Sequence, residues 1–293
     1  PELQSLADDF EPDLILHAPV DLAAPVLAAQ RGVPAITYGT GLLLEPELVA
    51  AMVEWVAPLW ISAGLEPDEH AGLYRGGYLD PVPSSLQPDL GPAAAIARPI
   101  RPAVPGEIDD ELPDWALRLG NRPTVYVSLG TVPIFNQPSA FGPLLEGLGG
   151  NDVDVVVTVG PGNDPAALGP QPGNIHVAQW LSLAAILPRC DAVVCHAGAG
   201  TTLAALSHGL PLVLTPRGAD QFPTAAACGR VGAARILTPD RVTPAAVHDE
   251  VATILTDPTY RAGAQRIRTE IEILSDADAV AADLASELAA RTA

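Results

Sequence analysis

Between Arg122 and Leu237 the chain presents six short apolar strand-like runs, most of them separated by helix-like stretches. No other feature constrains the fold as strongly. Strands are expected at 124–128, 153–159, 175–178, 192–195, 212–214 and 234–237. Helices fit between and after them at 140–148, 183–187, 201–208, 222–228 and 244–256. Strands joined through helices pair in parallel with right-handed crossovers, so this half is expected to be a complete doubly wound α/β domain.

The first part of the chain carries less of the same pattern. Residues 13–17 form a strand run, 21–31 an Ala-rich helix closed by Gly32, and 34–38 a second strand. Residues 46–63 place Leu48, Met52, Trp55, Val56 and Leu59 at helical spacing, with a kink expected at Pro58. From 76 to 113 prolines recur at 81, 83, 88, 92, 99, 102, 105 and 113, which predicts extended chain and an interdomain passage, with a helix near 111–119. Two or three strands make only part of a sheet. Acidic helices are expected at 260–274 and 277–290. The expected organisation is a partial N-terminal domain over 1–110, a second domain over 111–275, and a terminal helix over 276–293.

Composition narrows the partners. Asp and Glu total 35 against 15 Lys and Arg, all of them Arg, for a net charge of −20. A surface this negative repels nucleic acid and anionic lipid. No apolar run is long enough to span a bilayer, so no membrane insertion is expected. Cys190, Cys195 and Cys228 cannot build a disulfide framework, so a reducing cytoplasm is expected. A monomer or homodimer is expected. With His196, Cys190 and Cys195 lack a locally paired carboxylate or second histidine, so no metal site is expected.

Ligands of parallel α/β sheets bind at the carboxyl ends of the strands. There this chain places Ser128-Leu129-Gly130-Thr131, then His196-Ala197-Gly198-Ala199-Gly200-Thr201-Thr202, then Arg217-Gly218-Ala219-Asp220-Gln221. Small residues before a helix let a ligand approach the backbone, and the first N–H groups of the helix expected to start at Thr201 form an anion site. Ser128, Gly130, Thr131, His196, Gly198, Ala199, Gly200 and Thr201 together describe a diphosphate cradle without lysine. Asp220 and Gln221 pair an acceptor with a donor, as sugar hydroxyls require. The same residues also suit a plain strand–helix junction, a helix cap and a surface turn. The residues alone reach as far as a phosphorylated, hydroxyl-rich ligand.

The order Gln179-Trp180-Leu181, 191–202, Gly209-Leu210-Pro211 and Pro216 through Gln221 resembles the nucleotide-sugar-dependent glycosyltransferases, in particular the bacterial ones that decorate macrolides, enediynes and similar natural products. The match runs from about Thr124 to Leu237, and more loosely over 12–88. The resemblance implies a GT-B fold of two facing Rossmann-like domains, the N-terminal one incomplete here and acceptor-binding, the C-terminal one nucleotide-sugar-binding. It implies that the final helix returns to the first domain. It implies that Trp180 stacks on the pyrimidine, that the Leu181 backbone reads the base edge, that Ser128, Thr131 and His196 meet the phosphates, and that Asp220 and Gln221 hold the sugar. The donor would be a dTDP- or UDP-sugar, with no metal required; Ala204 stands where plant relatives carry a ribose-binding Glu. The acceptor would be a small hydrophobic aglycone, with Trp55 and Trp60 as candidate lining. The expected reaction is inverting sugar transfer to an acceptor hydroxyl. The family's general-base His has no counterpart in this sequence, and about 80 to 110 family-typical residues would precede Pro1. Asp21 is the nearest carboxylate to the orienting position. The rival expectations are a nucleotide-sugar epimerase of similar architecture and a non-catalytic accessory protein.

Overall fold

The computed structural model describes residues 2–88 and 96–292, which leaves Pro92 of the proline series outside the described residues. The chain divides into two compact units, Pro1–Arg101 with Leu274–Ala293, and Pro102–Ile273.

The first unit contains α1 (Glu2–Phe10), β1 (Ile15–His17), α2 (Ala24–Arg31), β2 (Ala35–Tyr38), α3 (Pro46–Ser62), β3 (Tyr78–Asp80) and β4 (Ala97–Pro99). The strands form one parallel sheet in the order β1-β2-β3-β4. The proline-rich stretch is therefore not only a passage. It carries two strands, because β3 stops just before Pro81 and β4 takes a proline only at its last residue, Pro99, which leaves enough N–H groups for a parallel ladder. Gly32 ends α2 in the left-handed conformation, at φ +69°.

Helix α3 runs through Pro58 and buries Val49, Met52, Val56 and Trp60. These pack with Val26, Ala71 and Leu73 as the core of this unit. Trp60 is 1% exposed and belongs to that core, so its ring is not free to line an aglycone pocket, whereas Trp55 on the opposite face is 67% exposed. Truncating Trp60 to alanine should lower unfolding free energy by about 3–5 kcal/mol in urea titration, by loss of burial plus the cavity left behind.

The second unit carries α4 (Asp114–Leu117), β5 (Thr124–Ser128), α5 (Gly142–Leu148), β6 (Asp154–Thr158), β7 (Ile175–Ala178), α6 (Leu183–Ile186), β8 (Ala192–Cys195), α7 (Ala199–Ser207), β9 (Leu212–Leu214), α8 (Gln221–Arg230), β10 (Ala234–Ile236), α9 (Pro244–Thr256) and α10 (Pro258–Glu272). Its parallel sheet has the order β10-β9-β8-β5-β6-β7. Val125, Val127, Val155, Val157 and Val194 are wholly buried, as expected of strands covered on both faces. The strand order reverses between β5 and β8, where Ser128 lies opposite Cys195. That junction is the switch point of the fold, and crevices open there.

Helix α11 (Ala277–Thr292) belongs to the first unit. Its Val280 packs on Ile36, Leu79 and Ile100, and Arg98 pairs with Asp283 and Glu287. Among the described residues no helix is long and apolar enough to cross a membrane.

Candidate functional site

At the switch point lies a cavity of about 280 Å³. Ser128, Gly130, Thr131, Trp180, Leu181, His196, Gly198, Ala199, Gly200 and Thr201 all line it, so residues spread over three strand ends meet in one place. Asp220 and Gln221 do not line it. Gln221 is 2% exposed and its Oε1 accepts the Arg217 N–H (2.8 Å), closing the turn before α8, while Asp220 is the exposed residue at that helix's start.

Helix α7 begins at Ala199 with Gly198 as its cap, two residues earlier than the threonines suggest. A glycine cap has no side chain to offer, so the first free N–H groups, at 199–201, point out of the helix end toward the cavity. Thr201 is the third helical residue rather than the cap, and its hydroxyl adds to that donor set. Ala197 enters the left-handed region (φ +66°), which turns the chain sharply between β8 and α7.

His196 forms the floor. It is 8% exposed, and burial, joined by the charge of Arg217, lowers its pKa to about 4 against a smaller opposing pull from the Ser128 backbone. The imidazole is therefore neutral near pH 7, and its Nδ1 is buried without a partner among the described residues. Two glycines fit against the ring: a Cβ on Gly130 would stand 2.5 Å from Cε1, and one on Gly198 would run into Nε2. Ser128 Oγ accepts the Gly130 N–H (3.3 Å), which braces the turn from below.

Trp180 is 52% exposed at the cavity rim, whereas Leu181 beside it is buried at 6%. A half-open indole beside a polar cradle is an available stacking face. Gly160 N–H donates to the Gln179 carbonyl (2.9 Å) and so anchors the loop that carries this ring.

Sequence reasoning passed over Asn136, Thr158, Gly160 and Arg217. Arg217 is a half-buried cation whose guanidinium donates to the Ala140 carbonyl (3.2 Å), with its Nε unpartnered among the described residues. Burial lowers its pKa. Its signal was a lone arginine in a strand-end loop of a strongly acidic chain.

The other candidates sit in the first unit. Asp21 Oδ1 accepts the N–H groups of Ala23 and Ala24, at 3.2 Å each, and thereby caps α2. The nearby His17 is buried, with its ring nitrogens on the Ala18 carbonyl (2.9 Å) and Thr37 Oγ1 (3.2 Å), and burial lowers its pKa. Among the described residues no three His, Cys, Asp or Glu side chains gather as a metal would need.

Residues 143–288 match the family described as erythromycin biosynthesis protein CIII-like, C-terminal domain. Over 98% of its length the chain is 31% identical to L-demethylnoviosyl transferase of Streptomyces niveus, of which it covers 74%. Over 92% of its length it is 30% identical to tylactone mycaminosyltransferase of Streptomyces fradiae, of which it covers 64%. The solved structure of spinosyn rhamnosyltransferase SpnG complexed with thymidine diphosphate superposes with a TM-score of 0.82 at 26% identity, covering 97% of this chain and 76% of that one.

Proposed function

The chain belongs to the family of bacterial nucleotide-sugar-dependent glycosyltransferases that act in antibiotic biosynthesis, and from that premise we propose that its second unit binds a dTDP-sugar for inverting transfer to a hydroxyl of a hydrophobic natural-product acceptor. The observation that carries this reading is the convergence of Trp180, the free N-terminus of α7 and the neutral His196 on one cavity at the switch point.

In this reading the pyrimidine stacks on Trp180 and the diphosphate lies against the α7 terminus, Thr131 and His196. A neutral imidazole donates a hydrogen bond to a phosphate oxygen without the cost of a buried cation. The acceptor oxygen attacks the anomeric carbon from the face opposite the diphosphate, its proton passing to a general base. The bond from the anomeric carbon to the β-phosphate oxygen breaks, and the electron pair leaves with the nucleoside diphosphate. Charge growing on that leaving group is met by preorganised N–H dipoles, which cost no reorganisation during the step. With backbone, hydroxyl and imidazole donors in place, the departure is read as metal-independent. Ala204 is buried and offers no carboxylate to a ribose, which favours a deoxyribose nucleotide. The free, buried cysteines suit a reducing cytoplasm.

Calorimetric titration tests the reading. The protein should bind dTDP more tightly than UDP, and Trp180→Ala should weaken dTDP about tenfold or more, since base–aromatic stacking contributes ~1–3 kcal/mol. No heat of dTDP binding, or an unchanged affinity in Trp180→Ala, would sink it.

A further inference from the structure

The glycine turn and the tryptophan loop of the cavity are joined through a run of amide groups that begins at one buried side chain. Asn136 is 2% exposed, and its Nδ2 donates to the carbonyls of Gly130 (2.8 Å) and Val159 (3.3 Å). Asn163 Nδ2 donates to the same Val159 carbonyl (2.8 Å) and to the Asn136 carbonyl (3.0 Å). Gln179 Nε2 donates to the Asn163 carbonyl (3.0 Å), and the Gln179 carbonyl in turn accepts the Gly160 N–H. The amides thus run unbroken from Gly130 to the residue before Trp180.

Peptide planarity converts these bonds into an orientation. In a trans peptide the C=O and N–H point in opposite directions. Holding the Gly130 carbonyl on Asn136 turns the Thr131 N–H the other way, at a residue that lines the cavity. Holding the Val159 carbonyl likewise directs the Gly160 N–H at Gln179. Gly160 makes the room: it sits at φ +85°, and a Cβ there would stand 2.7 Å from Asn136 Nδ2 and 2.8 Å from the Gly130 oxygen. Removing the amide would strip the Gly130 carbonyl of this donor and leave Val159 on Asn163 alone, which favours reorientation of the Gly130–Thr131 peptide first.

We propose that Asn136, in the space left by Gly160, is the positioning residue of the nucleotide cavity, setting the Thr131 N–H for the diphosphate and Trp180 for the base at once. The proposal rests on the reading of the cavity as a nucleotide site.

Its test is dTDP titration of the whole chain and of Asn136→Ala, Gly160→Ala and Asn163→Ala, with amide NMR of each free protein. Asn136→Ala and Gly160→Ala should each raise the dTDP Kd about tenfold or more, Asn163→Ala less, and the Thr131 and Gly160 amide resonances should move in the first two. Leu144→Ala, a buried core truncation in α5, should lower thermal stability with Kd kept within about twofold. A merely structural Asn136 would behave like Leu144. Wild-type affinity in a folded Asn136→Ala overturns the proposal, as does wild-type affinity in Gly160→Ala. If neither folds, an unchanged Kd in Asn163→Ala, at a half-buried position, overturns it. Absence of dTDP binding in the unmutated chain overturns the nucleotide reading itself, and this proposal with it.

Discussion

Gly130→Ala should weaken dTDP binding about thirtyfold or more, a loss of roughly 2 kcal/mol, while the second unit stays folded. Two separate costs meet at this residue. Its φ of +80° lies in the left-handed region, where a Cβ costs about 1–2 kcal/mol. The added carbon would also stand 2.5 Å from His196 Cε1 and 2.7 Å from Nε2, well inside van der Waals contact. The ring is buried and Gly198 also lies against its Nε2 and Cε1, so relief comes only by moving the turn or the floor of the cavity. Either movement disturbs the donors that face the diphosphate. Gly142→Ala, in α5 and away from the cavity lining, is the control, because a Cβ there meets no heavy atom within 4 Å. Calorimetry should find its affinity within about threefold of the unmutated chain. Equal affinities for Gly130→Ala and Gly142→Ala would remove the glycine–imidazole contact from the binding floor.

The contrast between those two glycines shows which parts of the site are legible in the residues. Residue types that carry chemistry can be read directly: Trp180, His196 and Thr201 declare stacking, hydrogen bonding and hydroxyl donors, and all three line the cavity. Which glycine is sterically required cannot be read, because it depends on a ring that approaches from a neighbouring strand. Asn136 is harder still. Its partners lie 6 and 23 residues away, and a loop asparagine carries no periodicity that could announce them. For the pair Asp220-Gln221 the residue types suit sugar, but they do not tell that the Gln221 side-chain oxygen also accepts the Arg217 N–H of its own turn while Asp220 stays exposed.

The sheets divide the same way. Strands β5, β6 and β8 are continuous valine-rich runs because both faces are covered, and helices separate them cleanly. Strands β3 and β4 have three residues each among prolines, so their local signal is that of a breaker. Their pairing is decided by neighbours: Tyr78 lies opposite both Thr37 and Ala97. Trp55 and Trp60 share a helix and a residue type, and only the packing of Val26, Ala71 and Leu73 decides which is core.

Acidification should destabilise the second unit through His196. The unfolded imidazole titrates near its ordinary value of 6.5, while burial holds the folded one at about 4. Between those two values the unfolded chain binds more protons, so stability rises with pH across that window. The neutral, buried state is fully favoured above about pH 6.5, and its advantage is lost progressively as pH falls toward 4. A shift of this size corresponds to about 3 kcal/mol at one group. Urea titrations of the unmutated chain and His196→Gln at closely spaced pH values should show the difference between them shrinking by about that amount from pH 7 to pH 4. Saturating dTDP should move the window upward, because a phosphate oxygen beside the ring favours the imidazolium. A pH dependence identical in both proteins would mean that the ring is hydrated in the folded chain. A dependence that dTDP leaves unmoved would place the diphosphate away from His196.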